Sequence, residues 1–320
     1  MTEYKSFLAP YIEKYMKYSE ASGGCSDHAK SSIRLFDKYC NEHSGGTVSL
    51  TQELVDGWCS KRDTESNNSC RARVYPIYDL IKYLRARKLT DAACPEIPRH
   101  ERCTYIPHAF TGEELKRFFY GCDHLSCDGR RPSRNRRMTL PVIFRLLYST
   151  GMRTCEARML RHEHVDIEHG IINIENTKGH IQHYVVLHDS MAEVMEKYDA
   201  AISCLYPQRE YFFPGVKKPY HDEGWLTGNF RQIWDSVNSS HAVPYDFRHY
   251  YGTFNVNSWV GQGFDFFDQF VYLSKSMGHS TLESTKYYYS LVPVLSEILK
   301  EQTGAGMEWI LTEVNHEKSR

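Results

Sequence analysis

Gly170-Ile171-Ile172-Asn173-Ile174-Glu175-Asn176-Thr177-Lys178-Gly179-His180-Ile181-Gln182-His183-Tyr184-Val185-Val186-Leu187 decides the fold class. Two short β-branched runs flank Thr177-Lys178-Gly179, a pattern that predicts an antiparallel hairpin with a Lys-Gly turn. Residues 163–188 are the one convincing strand region of the chain. The remainder reads as helix, so the expected fold is mainly α with a small antiparallel β-hairpin or sheet.

Upstream, Phe7, Leu8, Tyr11, Ile12 and Tyr15 recur at helical spacing. Ser26-Asp27 opens a second helix holding Ile33, Leu35, Phe36 and Tyr39, and Thr51 opens a third. Asn67 or Asn68 opens a fourth, with Val74, Ile77, Tyr78, Ile81 and Leu84 on its apolar face. Pro95, Pro98 and Pro107 then punctuate a stretch without periodicity, the best linker candidate. The expected organisation is a helical domain over 1–94, a linker over 95–108 and a mixed α+β domain over 109–320. Within the last, Thr111 and Glu114 fit a capping box, 121–137 reads as a polar loop, and 139–149 as a buried helix ending at Gly151. Helical patterns resume over 190–205, 226–237, 246–260, 264–276 and 291–300.

The chain has 320 residues, 41% hydrophobic and 25% charged, which suits a globular protein of two domains. No stretch of 18 apolar residues marks a membrane span, and Met1–Pro10 carries no apolar signal core. Ten cysteines in such a chain read as free thiols of a reducing compartment. The expected location is therefore the cytoplasm. Cys122 and Cys127, or Cys94 and Cys103, lack the two-residue spacing of zinc knuckles. His180 and His183, three apart on a hairpin, point to opposite faces. No metal is expected. The formal net charge of −1 counts against nucleic-acid binding, but distribution matters more than the sum. Basic residues cluster at Lys82, Arg85, Arg87 and Lys88, and again at Arg130, Arg131, Arg134, Arg136 and Arg137.

Three further segments carry chemistry. They are Ser149-Thr150-Gly151-Met152-Arg153-Thr154-Cys155-Glu156-Ala157, Tyr245-Asp246-Phe247-Arg248-His249, and Met277-Gly278-His279 continuing to Tyr287-Tyr288-Tyr289. Two arginines supply bidentate, permanent positive charge for a phosphate. A phenol can attack phosphorus and hold it as a covalent intermediate, which conserves bond energy without metal or nucleotide. An acid must protonate the leaving oxygen.

In order and spacing these segments resemble those of the tyrosine-recombinase (phage integrase) family, over about residues 105–290. That family carries T-G-x-R-x-x-E, H-x-x-R-H and L-G-H, with the nucleophilic tyrosine nine residues after the last histidine. The resemblance implies that Arg153 and Arg248 clamp the scissile phosphate, that Glu156 supports Arg153, and that His279 hydrogen-bonds the phosphate. It implies that Tyr288 is the nucleophile, Tyr289 and Tyr287 being the alternatives. It makes Lys178, in the hairpin turn, the general acid. Tyr245 stands where the family usually has histidine. A phenol can bond a phosphate oxygen but accepts protons poorly at neutral pH, and the adjacent His249 points elsewhere on a helix.

The implied activity is site-specific DNA recombination or integration through a 3′-phosphotyrosyl intermediate, with no cofactor. The implied partners are double-stranded DNA and a tetramer of protomers on two sites. The helical N-terminal domain is then the family's core-binding domain, and Lys82, Arg85, Arg87 and Lys88, with Arg130 and Arg131 of the second domain, are the expected DNA contacts. Apolar residues from Leu291 to Leu311 form a tail expected to dock on a neighbouring protomer or to fold back onto its own domain. The rival readings are a type IB topoisomerase, disfavoured by the helical N-terminal domain and the short chain, and a DNA-binding accessory protein without catalysis, whose support is Tyr245.

Overall fold

The computed structural model describes residues 4–23, 26–101, 105–175, 182–259, 266–279, 281 and 284–285. The chain divides into two compact units, Met1–Tyr105 and Ile106–Arg320.

The first unit is built of α1 (Ala9–Ala21), α2 (Asp27–His43), α3 (Gln52–Cys59) and α4 (Asn67–Ala86). Each start is set by local chemistry. Ser26, Thr51 and Ser66 sit in extended backbone, and their hydroxyls accept the N–H of Ala29, Leu54 and Ser69. Ser66, one residue earlier than the expected Asn67, is the cap of α4 because its side chain reaches that N–H at 3.1 Å. Ile12, Ile33, Phe36, Val55, Ile77, Leu80 and Ile81 are buried at the centre. Leu35 is half exposed, since it lies one position off the stripe that Ile33 and Phe36 define. Buried Asp37 on α2 accepts the N–H groups of Lys5 and Ser6 and the Ser6 hydroxyl, at 2.7, 3.1 and 2.5 Å, and so pins the incoming chain.

The second unit begins with α5 (Gly112–Asp123), whose Thr111–Glu114 capping box forms. It continues through α6 (Arg131–Thr150), α7 (Thr154–Arg158), a 3-10 turn (His162–His164) and strands β1 (Val165–Asp166), β2 (Ile171–Ile174) and β3 (His183–Val186). α8 (Asp189–Ser203), α9 (Glu223–Val237), α10 (Asp246–Ser258) and α11 (Phe266–Ser276) complete the described elements. The sheet is antiparallel in the order β1-β2-β3. Ile172 pairs with Val185 and Ile174 with His183. All four are buried, while Tyr184 and Val186 face outward, the alternation a one-sided sheet requires. The expected Lys178-Gly179 turn falls within 176–181 and the expected helix over 291–300 in the tail, both outside the described residues.

The expectation of a loop over 121–137 holds only over 124–130, since α5 runs on to Asp123. α6 starts at Arg131, with Pro132 in its first turn where a missing N–H costs nothing. Its polar residues Asn135 and Thr139 lie one turn apart on a buried face. Asn135 Nδ2 donates to the Pro214 carbonyl at 2.8 Å, and Thr139 Oγ1 lies 3.1 Å from the Tyr198 hydroxyl. These long-range bonds satisfy groups that composition alone assigns to solvent. α6 is flanked by α5, α8 and α10. Phe118, Phe144, Phe230, Trp234 and Phe247 fill the core beside it, with ring centroids 4.9–6.4 Å apart. No helix among the described residues is long and apolar enough to cross a membrane.

Candidate active site

The core presents three chain reversals to one locus. The first is the end of α6, where Gly151 adopts a left-handed backbone at φ 64° and its N–H caps Leu147. A side chain at Gly151 would press on the Tyr251 ring, 2.4 Å from Cδ1, so the residue must be glycine on both steric and conformational grounds. The reversal delivers Arg153 to the start of α7. Glu156 Oε2 accepts the Arg153 backbone N–H at 2.8 Å, and Oε1 accepts from Arg153 Nη1 at 2.6 Å. The Glu156 side chain is fully buried, so its charge is paired where an unpaired one would be costly.

The second is the first turn of α10. Arg248 is 2% exposed. Its Nη1 donates to the Gly151 carbonyl at 2.7 Å and its Nη2 to the Met277 carbonyl at 2.6 Å.

The third is the end of α11. Gly278 is left-handed at φ 62°. The His279 N–H bonds the Ser274 carbonyl at 3.0 Å and the Gly278 N–H that of Lys275 at 2.9 Å, a Schellman closure. The Gly278 carbonyl accepts from Arg153 Nη2 at 2.8 Å. His279 Nδ1 lies 2.7 Å from the Thr285 hydroxyl. The guanidinium groups thus lace the three motifs together through backbone oxygens. Arg153, Glu156, Arg248 and His279 are brought together.

Residues 109–293, more than half of the chain, match the model of the phage integrase family. The chain belongs to the phage integrase family. The chain is 25% identical to tyrosine recombinase XerA of Thermococcus kodakarensis over 289 residues, covering 87% of this chain and 89% of the relative. It is 26% identical to tyrosine recombinase XerC of Anoxybacillus flavithermus over 239 residues, covering 70% and 71%. In fold it is similar to XerH site-specific recombinase bound to palindromic difH substrate in a post-cleavage complex, with TM-score 0.57, 16% identity, and coverage of 87% of this chain and 78% of that one. A lambda integrase dimer bound to a COC′ core site gives TM-score 0.58 at 13% identity, covering 88% and 76%.

Tyr245 stands at the boundary of α10, 41% exposed, with its ring edge-on to that of His249 at 5.2 Å; contrary to expectation His249 lies beside it, because residues four apart share a helix face. His249 is held below the ordinary imidazole range chiefly by burial. Lys178 and Tyr288 lie outside the described residues. Among the basic residues, Lys82, Arg85 and Lys88 are exposed near the end of α4. Arg87 lies over the Tyr83 ring at 3.7 Å. Arg130 pairs with Asp128. Arg131 donates to the Leu205 carbonyl at 2.8 Å and covers the Tyr206 ring at 4.1 Å, so part of its fork is already committed to the fold. Sequence reading missed Tyr251, Thr285 and His183 as parts of the site. The one available signal was β-alternation, which puts His183 on the inward face with Val185.

Burial, then the positive charges of Arg248 and Arg153, and then His183, push the His279 imidazole down to about 4. In the unfolded chain it titrates near 6.5. Between those values the unfolded state binds the extra proton, so stability is lost as pH falls from about 6.5 towards 4. His221, held near 4 chiefly by burial, adds to the same loss. Thermal unfolding at pH 7 and pH 5 is expected to show a smaller drop in midpoint for His279→Gln than for the wild type. Equal drops would show that His279 is not held neutral by this site.

Proposed function

We propose that this protein is a site-specific DNA recombinase that cuts and rejoins strands through a 3′-phosphotyrosyl intermediate. The observation that carries the reading is the lacing of Arg153 and Arg248 to the carbonyls of Gly151, Met277 and Gly278 beside His279. It fixes two guanidinium groups and one neutral imidazole around a single point. Preorganised donors of this kind stabilise charge that develops on a phosphoryl group without reorganising during the reaction.

The Tyr288 hydroxyl gives its proton to water as its oxygen attacks phosphorus, and the bond from phosphorus to the 5′ oxygen breaks. Lys178 gives its proton to that leaving oxygen. The remaining N–H groups of Arg153 and Arg248 take the non-bridging oxygens. With the Thr285 hydroxyl donating to His279 Nδ1, the imidazole proton sits on Nε2 and donates to the same phosphate. Tyr245 adds a phenol donor. In the second half, a 5′ hydroxyl of a partner strand attacks the phosphotyrosine and returns its proton to Lys178, and the departing Tyr288 oxygen takes a proton back from water. One phosphodiester is exchanged for another, so no cofactor is consumed. Lys82, Arg85, Arg87, Lys88, Arg130 and Arg131 contact the backbone of double-stranded DNA, where each neutralised phosphate adds salt-dependent affinity. Residues 1–94 act as the core-binding domain, 109–320 as the catalytic domain, and four protomers assemble on two sites in the cytoplasm.

The test uses the protein to find its own DNA. Duplexes retained from a random-sequence pool are resynthesised with a nick beside the bound site, so that cleavage releases a short fragment and traps the covalent complex. A protein–DNA band on a denaturing gel, unchanged by chelator, is the expected result. A duplex that is bound but never joined to the protein would overturn the strand-transfer reading in favour of a DNA-binding accessory role. Sequence-independent relaxation of supercoiled plasmid would mark a topoisomerase.

A further inference from the structure

His183 opens β3, the strand that follows segment 176–181. It pairs in register with Ile174 and is 7% exposed. Its ring lies against Gly278. A Cβ on that glycine would stand 2.5 Å from Cε1, 2.7 Å from Nδ1 and 3.0 Å from Nε2 of His183. No real side chain tolerates such distances, so the imidazole and the glycine backbone are in face contact. β3 and α11 are neighbours in the fold, and His183 lies close enough to His279 to lower its proton affinity. The same glycine offers its carbonyl to Arg153, and the residue before it offers its carbonyl to Arg248.

We propose that His183 is a positioning residue: its ring is the seat that fixes Gly278, and through Gly278 both arginines and His279. The inference rests on the strand-transfer reading for its catalytic consequence. Its structural content is independent of that reading. A left-handed glycine with nothing behind it is free to shift, and a shift there moves two acceptor carbonyls and an imidazole together. Misplacement of reacting groups by about 1 Å costs on the order of 100-fold in rate.

Two measurements test this. The first is cleavage of the self-selected nicked duplex by wild type, His183→Ala and His183→Phe, with DNA affinity measured in parallel. His183→Ala is expected to bind within about twofold of wild type and to cleave at least tenfold more slowly, and His183→Phe, which keeps a flat ring, to recover most of that loss. Wild-type cleavage by His183→Ala would overturn the proposal. Equal loss in His183→Phe would overturn it too, by showing that an imidazole nitrogen, and not the ring's seat, is needed. The second measurement needs no DNA. Gly278→Ala is expected to lower the thermal midpoint at least twice as much in wild type as in His183→Ala, because removing the ring makes room for the methyl group, although the left-handed backbone stays unfavourable for alanine. Equal drops in the two backgrounds would refute the contact. Absence of any covalent complex with wild type would sink the strand-transfer reading, while the thermal cycle would still decide whether His183 seats Gly278.

Discussion

Tyr288→Phe is expected to bind DNA as wild type does and to yield no covalent complex. The substitution removes one oxygen and keeps the ring, so packing and affinity should be nearly unchanged. It deletes the group that attacks phosphorus, and the expected loss is at least about 10⁴-fold, the order seen when a covalent nucleophile is removed. The assignment rests on spacing. Tyr288 follows His279 by nine residues, within Tyr287-Tyr288-Tyr289. The self-selected nicked duplex distinguishes the three. A band that survives Tyr288→Phe but disappears with Tyr289→Phe or Tyr287→Phe would move the nucleophile. A band that survives all three would remove a tyrosine intermediate altogether.

Arg248→Ala is expected to damage both rate and stability. In wild type the guanidinium is 2% exposed and bonded to the Gly151 and Met277 carbonyls. Truncation strips both oxygens of their donor in a buried place, at a cost of roughly 1–3 kcal/mol for each group left unsatisfied. It also removes charge stabilisation of the transferring phosphoryl group. Loss of one preorganised donor typically costs about 10²–10³ in rate, and a fork that organises two other motifs should exceed that. Arg248→Lys separates the two roles. An ammonium keeps the charge but cannot span both carbonyls in the fixed geometry of a guanidinium. It should recover some thermal stability and little cleavage. Cleavage by Arg248→Ala within tenfold of wild type would refute the clamp.

Much of the fold was legible because its signals are local. Ser26, Thr51 and Thr111 announce helix starts through hydroxyls that reach an N–H within the same turn. The β2–β3 alternation announces which residues face the core. The first turns of α6 were not legible. Their buried face is polar, and Asn135 and Thr139 are satisfied by Pro214 and Tyr198, far along the chain. The site divides in the same way. Arg153, Glu156, Arg248 and His279 stand in segments that can be read from residue type and spacing. The oxygens that hold the arginines belong to the backbone, which every residue shares, so nothing in the sequence singles them out beyond the glycines at 151 and 278. His183 was visible as an inward residue of a strand but not as the neighbour of Gly278, because that contact depends on how β3 and α11 pack.

The lacing of Arg248 and Arg153 to carbonyls at 277 and 278 also sets an order for events during synthesis. Protein emerges from the ribosome amino end first. A nascent chain that has reached residue 260 already displays both guanidinium groups, yet lacks Met277, Gly278 and His279. Its arginines have no anchor on that side. On the proposed reading, no phosphate is held in a reactive pose until the third motif has cleared the exit tunnel. The two arginines thus gain these carbonyl anchors only after residue 278 has been made.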